Sequence, residues 1–300
     1  MPDAGKPRNS QTPRAKNYML THDPPGHPYA TTYFRSIRRR DDHFRIIAEN
    51  SLRAELYFQF GWDKHSLAQH REISQTIAGE LPGCAIHLPY NGQGPAHNVS
   101  DEEELDRLGR MLEAARIYEP DHLIGHFEFK SLTDSASGPR KFIGQKKGPL
   151  DDPFHEPSGQ FVESSVNWWQ RVLAGSEAPL YLEHTYEHSP LPIVRVIDLL
   201  GPQSGFCLDL GHWFHYAMGK HWDNLQEWIT LCGPRLRHLH LHDNHGDADQ
   251  HLGLGQGDID LPSAWAKFRA LSPRPTFTLE NHRPDGLLQS LAYLKENPPF

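Results

Sequence analysis

Cysteine is scarce in this chain, and the spacing of its few copies excludes a disulfide framework. The three cysteines are Cys84, Cys207 and Cys232, and no two of them form a CxxC pair. Two of them lie in strand-like apolar runs, where a buried free thiol is the ordinary outcome. A reducing, cytoplasmic location is therefore expected.

Long hydrophobic runs are also missing. No window approaches the roughly 18 consecutive apolar residues of a membrane helix, so a membrane partner is not expected. Residues 1–27 are polar and rich in proline, without the apolar segment of a secretory signal. We expect them to form a poorly ordered arm, and residues 28–300 to form a single domain.

Positive charge is in short supply, because the formal net charge is −8. A protein that holds duplex DNA usually presents a basic surface to the phosphates, so nucleic acid is a disfavoured partner and a small-molecule substrate is favoured. No glycine-rich fingerprint follows the first predicted strand, which weighs against a dinucleotide-binding fold.

Histidine, in contrast, is abundant, with 21 copies. It is the commonest metal ligand in proteins, so the positions of these histidines relative to the predicted strands and helices become important.

Short apolar runs alternate with amphipathic stretches from about residue 28 to the end. The predicted strands are 29–33, 54–60, 84–89, 122–127, 180–183, 206–209, 236–241 and 276–280. The predicted helices between them include 66–80, 102–117, 161–174, 191–200, 224–231 and 285–294. Strands that alternate with helices indicate parallel βαβ units, and eight such units predict a closed (β/α)₈ TIM barrel.

One connection, residues 128–160, is unusually long and is rich in serine, glycine, proline and lysine. Such loops are usually functional or disordered. Two interpretations remain open: a lid over the catalytic face, on which Lys130 and Arg140 bind substrate, or a mobile, solvated loop.

Acidic residues end three of the predicted strands. Side chains alternate between the two faces of a strand, so Leu180 and Leu182 share one face and Glu183 points the other way. The same alternation places Asp209 and Glu280 opposite their apolar neighbours. If the apolar face packs on the helices, these carboxylates point into the barrel at its C-terminal end, where TIM-barrel active sites lie.

Histidines occupy equivalent positions on neighbouring strands. His240 and His242 alternate with leucines, and His87 and His126 end the third and fourth predicted strands. Isolated acids and imidazoles would be costly to bury, so we interpret them as neighbours around shared cations. Two short spacings extend the set: His212 follows Asp209 by three residues, and Asp249 and His251 alternate in a polar loop.

These motifs resemble the xylose isomerase-like barrels, in particular the apurinic/apyrimidinic endonuclease family 2 branch typified by endonuclease IV. The resemblance covers about residues 29–295 and is sharpest in CLDLGHW (207–213), HLHDN (240–244), DQHLGLGQGD (249–258) and TLEN (278–281).

The resemblance implies up to three Zn²⁺ ions. One would be held by His87, His126 and Glu183, a second by Glu183, Asp209, His240 and Glu280, and the third by His212, Asp249 and His251. In the isomerase and epimerase branches, the resemblance implies one ion, such as Mn²⁺ or Mg²⁺, held by Glu183, Asp209, His240 and Glu280. His212 would then contact the substrate.

Charge favours several ions. The four carboxylates Glu183, Asp209, Asp249 and Glu280 contribute −4, and three Zn²⁺ ions contribute +6, which leaves +2 for an oxyanion and a hydroxide. A single divalent ion would leave about −2, which repels phosphate.

The first hypothesis for function is therefore hydrolysis of a phosphate ester or diester, with Glu183, Asp209 and Glu280 as catalytic residues. Tyr90, His242, Lys130 and Arg140 are predicted substrate contacts. Three alternatives stay open: a sugar isomerase or epimerase in which two carboxylates shuttle a proton, an endonuclease acting on DNA, and a non-catalytic metal-binding barrel with closed coordination.

Overall fold

The structure of the protein is a computed structural model, which describes residues 27–58, 62–89, 102–127, 159–185, 187, 189–216 and 222–300. Its strands are β1 Tyr29–Thr32, β2 Arg53–Tyr57, β3 Cys84–His87, β4 Leu123–Phe127, β5 Leu180–His184, β6 Ser204–Asp209, β7 Leu236–Leu241 and β8 Thr276–Leu279. Each strand pairs in parallel with the next, and β8 pairs with β1 to close the barrel. The predicted TIM barrel is confirmed.

Helices surround the strands. They are α1 Phe34–Arg39, α2 Asp42–Glu49, α3 Leu67–Glu80, α4 Glu102–Arg116, α5 Gly159–Ala174, α6 Leu191–Leu200, α7 Leu210–Tyr216, α8 Trp222–Cys232, α9 Leu261–Arg269 and α10 Pro284–Glu296. Side-chain caps explain several starts: Ser66 and Gln69 form a reciprocal capping box at α3, and Asp260 accepts the backbone N–H of Ser263 at α9.

Apolar and polar side chains alternate along the strands, as the sequence predicts, and this alternation separates an apolar layer under the helices from a polar barrel interior. Leu180, Leu182, Leu239 and Leu241 are completely buried in the apolar layer between strands and helices. Burial of a leucine side chain contributes about 2 kcal/mol, so this layer supplies much of the stability. The polar residues between these leucines therefore face the barrel interior.

Strand register brings residues of the interior side by side. His126 on β4 pairs with Glu183 on β5, and Asp209 on β6 pairs with His240 on β7. The pairing of β6 with β7 shifts between Phe206 and Cys207, so the ends of these strands meet in a register different from that of their beginnings. Acids and histidines of adjacent strands thus share one level of the barrel.

Several sequence predictions concern residues outside the described part of the chain. They are the N-terminal arm up to residue 26, most of the long loop (128–158), Tyr90, Lys130 and Arg140. The loop prediction runs two residues too far, because α5 begins at Gly159. Within the described residues, no helix has the length and apolarity needed to cross a membrane.

Candidate metal centre

Acids and histidines meet at the C-terminal end of the barrel, as the sequence predicts. His87, Glu183, Asp209 and His240 are completely buried, and Glu280, which directly follows β8, is 1% exposed. His212 reaches the same region from α7, and Asp249 and His251 reach it from the loop after β7. All nine predicted ligands therefore lie in one connected cluster.

The first group centres on one oxygen of Glu183. His87 Nε2 lies 3.1 Å and His126 Nε2 3.0 Å from Glu183 Oε2. His87 and Glu183 also form a set with His240, in which one donor atom of each residue lies within 4.8 Å of the other two. Imidazole and carboxylate donors of this kind suit a Zn²⁺ ion.

The second group uses the other oxygen of Glu183. His240 Nδ1 lies 3.2 Å from Glu183 Oε1, 3.1 Å from Glu280 Oε2 and 3.7 Å from Asp209 Oδ2. One donor atom from each of the four residues lies within 4.8 Å of the others. Glu183 thus stands between the first and second groups and can bridge two ions.

The third group forms around Asp249. His212 Nε2 lies 3.2 Å and His251 Nε2 3.3 Å from Asp249 Oδ2. His251 adopts a left-handed backbone conformation with φ of 49°, which non-glycine residues rarely do. Such strain is typical of functional sites, where surrounding structure holds a residue in an unfavourable conformation.

The loop that carries Asp249 and His251 is fixed by a carboxylate that does not face the ligands. Asp243 accepts backbone N–H groups from Asn244, Gly255, Gly257 and Ile259 at 2.9–3.2 Å. Gly257 is required there, because a Cβ atom would lie 2.4 Å from Asp243 Oδ1. The glycines of the DQHLGLGQGD motif therefore shape the loop around Asp243.

Several buried ligand atoms lack hydrogen-bond partners. Glu183 Oε1, Asp209 Oδ2, Glu280 Oε2, Asp249 Oδ1 and His240 Nδ1 are all in this condition. These atoms face one another without hydrogen-bond geometry, as His240 Nδ1 does beside Glu183 Oε1 and Glu280 Oε2, and buried polar atoms in this condition need an explanation. Divalent cations would satisfy all of them, and a mixed set of imidazoles and carboxylates fits Zn²⁺. The residues present therefore fit a metal centre.

Main-chain carbonyls orient three of the candidate ligands. His87 Nδ1 lies 3.1 Å from the carbonyl oxygen of Leu88, and His212 Nδ1 lies 3.1 Å from that of His184. His251 Nδ1 lies 2.9 Å from the carbonyl oxygen of Glu280. A carbonyl only accepts, so Nδ1–H is the donor and Nε2 faces the acids, where its lone pair becomes available to a cation that displaces the Nε2 proton.

Glu55, which the sequence analysis did not select, orients His240. It is completely buried on β2, and its Oε1 lies 3.2 Å from His240 Nε2, while its Oε2 accepts a hydrogen bond from Thr278 at 2.5 Å. Glu55 thereby favours the proton on Nε2 and leaves Nδ1 to face the second group. The available signal was its place between the apolar residues Ala54 and Leu56.

Tyr57 was missed for the same reason, since it also lies within β2. Its hydroxyl donates a hydrogen bond to Glu280 Oε1 at 2.6 Å, and its ring stacks on His87 with centroids 4.1 Å apart. Burial raises the pKa of Tyr57 well above its ordinary value, and the nearby Glu280 raises it further, so the phenol remains a donor.

The buried acids of the cluster raise the pKa values of two neighbouring histidines and so favour positive charge beside them. Burial opposes protonation of His251, but Asp249 and Glu280 outweigh it and raise its pKa to about 9. The pKa of His240 is raised well above its ordinary value for the same reason: burial lowers it, and Cys207, Glu55 and other acidic neighbours raise it more. Protons on these imidazoles compensate the carboxylates when no cation does so.

The predicted substrate contact His242 is completely buried, with Nε2 3.1 Å from Asp209 Oδ1. An additional histidine, His282, lies at the exposed edge of the cluster and stacks on His251 with ring centroids 3.9 Å apart. His282 could not be predicted from the sequence, because it follows the last predicted strand, where no alternation of apolar and polar residues gives its direction.

A closed eight-stranded barrel with acids and histidines at its C-terminal rim defines a class of protein. The chain belongs to the AP endonuclease 2 family of xylose isomerase-like TIM barrels, whose family model matches residues 42–297. The family predicted from sequence is confirmed.

Two curated relatives come from Methanocaldococcus jannaschii. The uncharacterised protein MJ1311 is 23% identical over 215 residues, which cover 70% of this chain and 68% of that protein. The uncharacterised protein MJ1614 is 29% identical over 105 residues, covering 35% of this chain and only 39% of that protein.

Solved structures share the fold along nearly the whole chain. The TTHB071 protein from Thermus thermophilus, soaked with ZnCl₂, has a TM-score of 0.64 and 20% identity, covering 90% of this chain and 97% of that one. A D-tagatose 3-epimerase-like protein has a TM-score of 0.66 and 16% identity, with 90% and 96% covered. The 3-keto-D-glucoside 4-epimerase YcjR from E. coli has a TM-score of 0.60 and 18% identity, with 90% and 100% covered.

Proposed function

We propose that this protein is a metal-dependent enzyme that epimerises or isomerises a small sugar or sugar derivative. The observation that carries this proposal is the second group, in which Glu183 and Glu280 approach His240 Nδ1 at 3.2 Å and 3.1 Å. Two buried carboxylates around one cation site suit proton removal and return at a carbon next to a carbonyl. The names of several structural neighbours, which are sugar epimerases, support this reaction over the phosphoester hydrolysis that the sequence put first.

The chain's own residues have distinct roles in this proposal. A divalent cation held by Glu183, Asp209, His240 and Glu280 would bind adjacent substrate oxygens and make the neighbouring C–H more acidic. One of the two glutamates takes the proton from that carbon. The other, which enters the step as the carboxylic acid, gives its proton to the opposite face of the same carbon. The first glutamate then loses its proton to solvent and the second takes one up, which restores the starting state.

Tyr57 and Glu55 keep this arrangement in place. The hydroxyl of Tyr57 occupies Oε1 of Glu280, so that Oε2 faces His240. Glu55 holds the distal nitrogen of His240. Both contacts are buried, so water does not compete for them and the positions of the reacting carboxylates are defined before the substrate binds.

Hydrogen exchange provides the test. Metal-loaded protein is incubated in D₂O with D-fructose, D-tagatose and other ketoses, and deuterium at the carbons adjacent to the carbonyl is measured by NMR. We expect exchange with at least one sugar, and its loss in Glu183→Gln and Glu280→Gln. Glu72→Gln, which changes an exposed glutamate of α3, should retain it. Absence of exchange with every sugar and every divalent metal would refute the proposal.

Phosphoester hydrolysis is a second candidate because of one specific observation. His87 and His126 both approach Oε2 of Glu183, and His212 and His251 both approach Oδ2 of Asp249, so two further cations could be held beside the second group. With Glu55 included, five buried or half-buried carboxylates contribute −5, and three divalent ions would leave +1. A metal count of three per chain together with cleavage of bis(p-nitrophenyl) phosphate would support this candidate over sugar epimerisation.

A further inference from the structure

Asn281, the last residue of the TLEN motif, follows Glu280 directly and is completely buried. Its Nδ2 atom donates to the carbonyl oxygen of Leu252 at 2.8 Å and to that of His251 at 3.3 Å. Its Oδ1 atom accepts the hydroxyl of Ser290 at 2.7 Å. No step of the proposed reaction uses Asn281, but its side chain joins the end of β8 to the loop that carries His251.

The orientation of this amide is fixed by its partners. A carbonyl oxygen only accepts, so the NH₂ group, and not Oδ1, faces Leu252 and His251. Ser290 Oγ accepts the backbone N–H of Leu254 at 3.0 Å, which leaves its own proton for Oδ1 of Asn281. Ser290 belongs to α10 and is completely buried, so water does not compete for these contacts.

His251 needs such support because its backbone is in an unfavourable conformation. Its φ is 49°, and a non-glycine residue stays in this left-handed region only where surrounding contacts hold it there. The ring of the same residue is held as well, since its Nδ1 lies 2.9 Å from the carbonyl oxygen of Glu280. Glu280 and Asn281 thus hold both the ring and the main chain of His251, whose Nε2 lies 3.3 Å from Asp249 Oδ2.

We propose that Asn281 is a positioning residue for the third group, which keeps His251 directed at a cation shared with His212 and Asp249. The amide does not bind the cation itself, because its nitrogen faces main-chain carbonyls and its oxygen faces Ser290. Its influence on the cation therefore passes through His251. Without the amide, the left-handed backbone would relax and Nε2 would move away from Asp249. The inference concerns the metal centre alone and holds whichever reaction the protein catalyses.

Zinc affinity tests the inference. In Asn281→Asp the side chain keeps its size but presents an oxygen atom to the carbonyls of Leu252 and His251, and Asn281→Ala removes the amide without adding charge. We expect both full-length variants to bind one Zn²⁺ ion about 10- to 100-fold more weakly than the native chain, as after loss of a group that orients a metal ligand. Competition with a chromophoric chelator measures the affinity, and circular dichroism of the metal-free variants checks that they fold.

Asn50 provides matched controls. It also donates to a main-chain carbonyl, that of Ile46 at 2.8 Å, but it lies just before β2, at the opposite end of the barrel. Asn50→Asp and Asn50→Ala should therefore retain the native zinc affinity.

A double variant distinguishes the positioning of His251 from a general structural role. If Asn281 acts through His251, Asn281→Asp combined with His251→Asn should bind zinc no more weakly than His251→Asn alone, because the effects of interacting residues do not add. With Co²⁺ in place of Zn²⁺, Asn281→Asp should reproduce the visible absorption spectrum of His251→Asn, since both changes remove the same imidazole from the ion.

Unchanged zinc affinity in folded Asn281→Asp and Asn281→Ala would overturn the inference. So would effects of Asn281→Asp and His251→Asn that add in free energy, or a cobalt spectrum of Asn281→Asp that matches the native one. If His251→Asn binds every cation as tightly as the native chain, His251 is not a ligand and the inference is overturned as well. Deuterium exchange into sugars is measured separately, so failure of the proposed epimerase reaction leaves this result intact.

Discussion

His238 and His240 lie two residues apart on β7, both face the barrel interior and both are completely buried, but their surroundings differ in kind. His238 is 2.7 Å from the hydroxyl of Thr276 through Nδ1 and 2.9 Å from that of Thr278 through Nε2. His240 is surrounded by carboxylates, and its nitrogen atoms make no hydrogen bond of acceptable geometry.

The difference extends through two layers of the barrel. Around His238, the rings of Tyr29, His122 and Tyr181 pack with centroids 4.6–6.2 Å from its own. Burial lowers the pKa of His238 and His122, so these two imidazoles are uncharged at neutral pH.

The layer around His238 is the lower layer, and the layer that contains His240 and the candidate ligands is the upper layer. In the upper layer, the acidic neighbours of His240 raise its pKa by more than burial lowers it. Among the described residues, His238 approaches one acid, Glu55, whereas His240 approaches four. An abundance of histidine therefore indicates a metal centre where several acids surround it; beside hydroxyls and aromatic rings it fills a core.

The largest effect is expected from Glu183→Gln, because Glu183 contacts both the first and second groups of the upper layer. Sugar exchange should fall about 10²- to 10⁴-fold, the usual contribution of a general acid or base. Metal content should fall as well, measured by inductively coupled plasma mass spectrometry. Full activity with full metal content would show that the upper layer is not the reactive one.

Glu55→Gln tests which of the two layers Glu55 serves, because Glu55 lies between them and approaches both His238 and His240. We expect metal affinity to fall about 10- to 100-fold, because the imidazole of His240 loses its carboxylate acceptor. Competition with a chromophoric chelator measures the change, with Glu72→Gln as the control. An unchanged affinity would mean that Glu55 serves only the lower layer.

The pH dependence of metal binding should be appreciable and should have a definite sign. A cation competes with the protons on His240 and His251, so affinity should increase from pH 6.5 to about 9, by up to about tenfold per pH unit for each proton displaced. Calorimetry in buffers of different ionisation enthalpy should detect proton release. Metal binding that is independent of pH over this range would contradict protonation of His240 and His251 in the metal-free protein.

The stability of the metal-free protein should follow the opposite trend. The pKa of His251 is raised from 6.5 to about 9 in the folded state, so its stabilising contribution is complete below pH 6.5 and is lost as the pH rises through 9. Urea unfolding of metal-free protein across this range, compared with His251→Asn, measures the contribution. A difference between the two proteins that does not shrink with rising pH would contradict it.

The smallest effect on metal binding is expected from His238→Gln. This change should lower the free energy of unfolding by about 1–3 kcal/mol, because the threonine hydroxyls lose a partner. Metal affinity should remain within about twofold of the native value. A large loss of affinity would erase the distinction between the layers.

Sequence reasoning identified the residues at strand ends. Asp209, Glu183 and Glu280 follow apolar residues in a strict alternation, and the barrel topology then brings their strands to one rim. Glu55 and Tyr57 escaped this reasoning because they lie inside a strand and because their partners, Thr278, His240 and Glu280, are more than 180 residues away in the chain. Only the closure of the barrel brings them together.

The partners of the histidines of β7 required the structure for a different reason. His238, His240 and His242 alternate identically with leucines, so the sequence predicts one face for all three and places His238 one layer deeper, but it does not predict which residues of the neighbouring strands each one meets. Those partners depend on strand register, and the pairing of β6 with β7 shifts between Phe206 and Cys207. That shift leaves no signal in either strand's pattern of apolar residues.

The carboxylate of Asp243 accepts four backbone N–H groups, and this affects how strongly and how selectively a cation would bind. A loop already tied down during folding loses little conformational freedom when an ion arrives, so most of the binding energy remains as affinity. Rigidity also penalises ions of the wrong radius, since the surrounding chain does not stretch to accommodate them. Selectivity at the rim would thus originate in a side chain that never touches the metal.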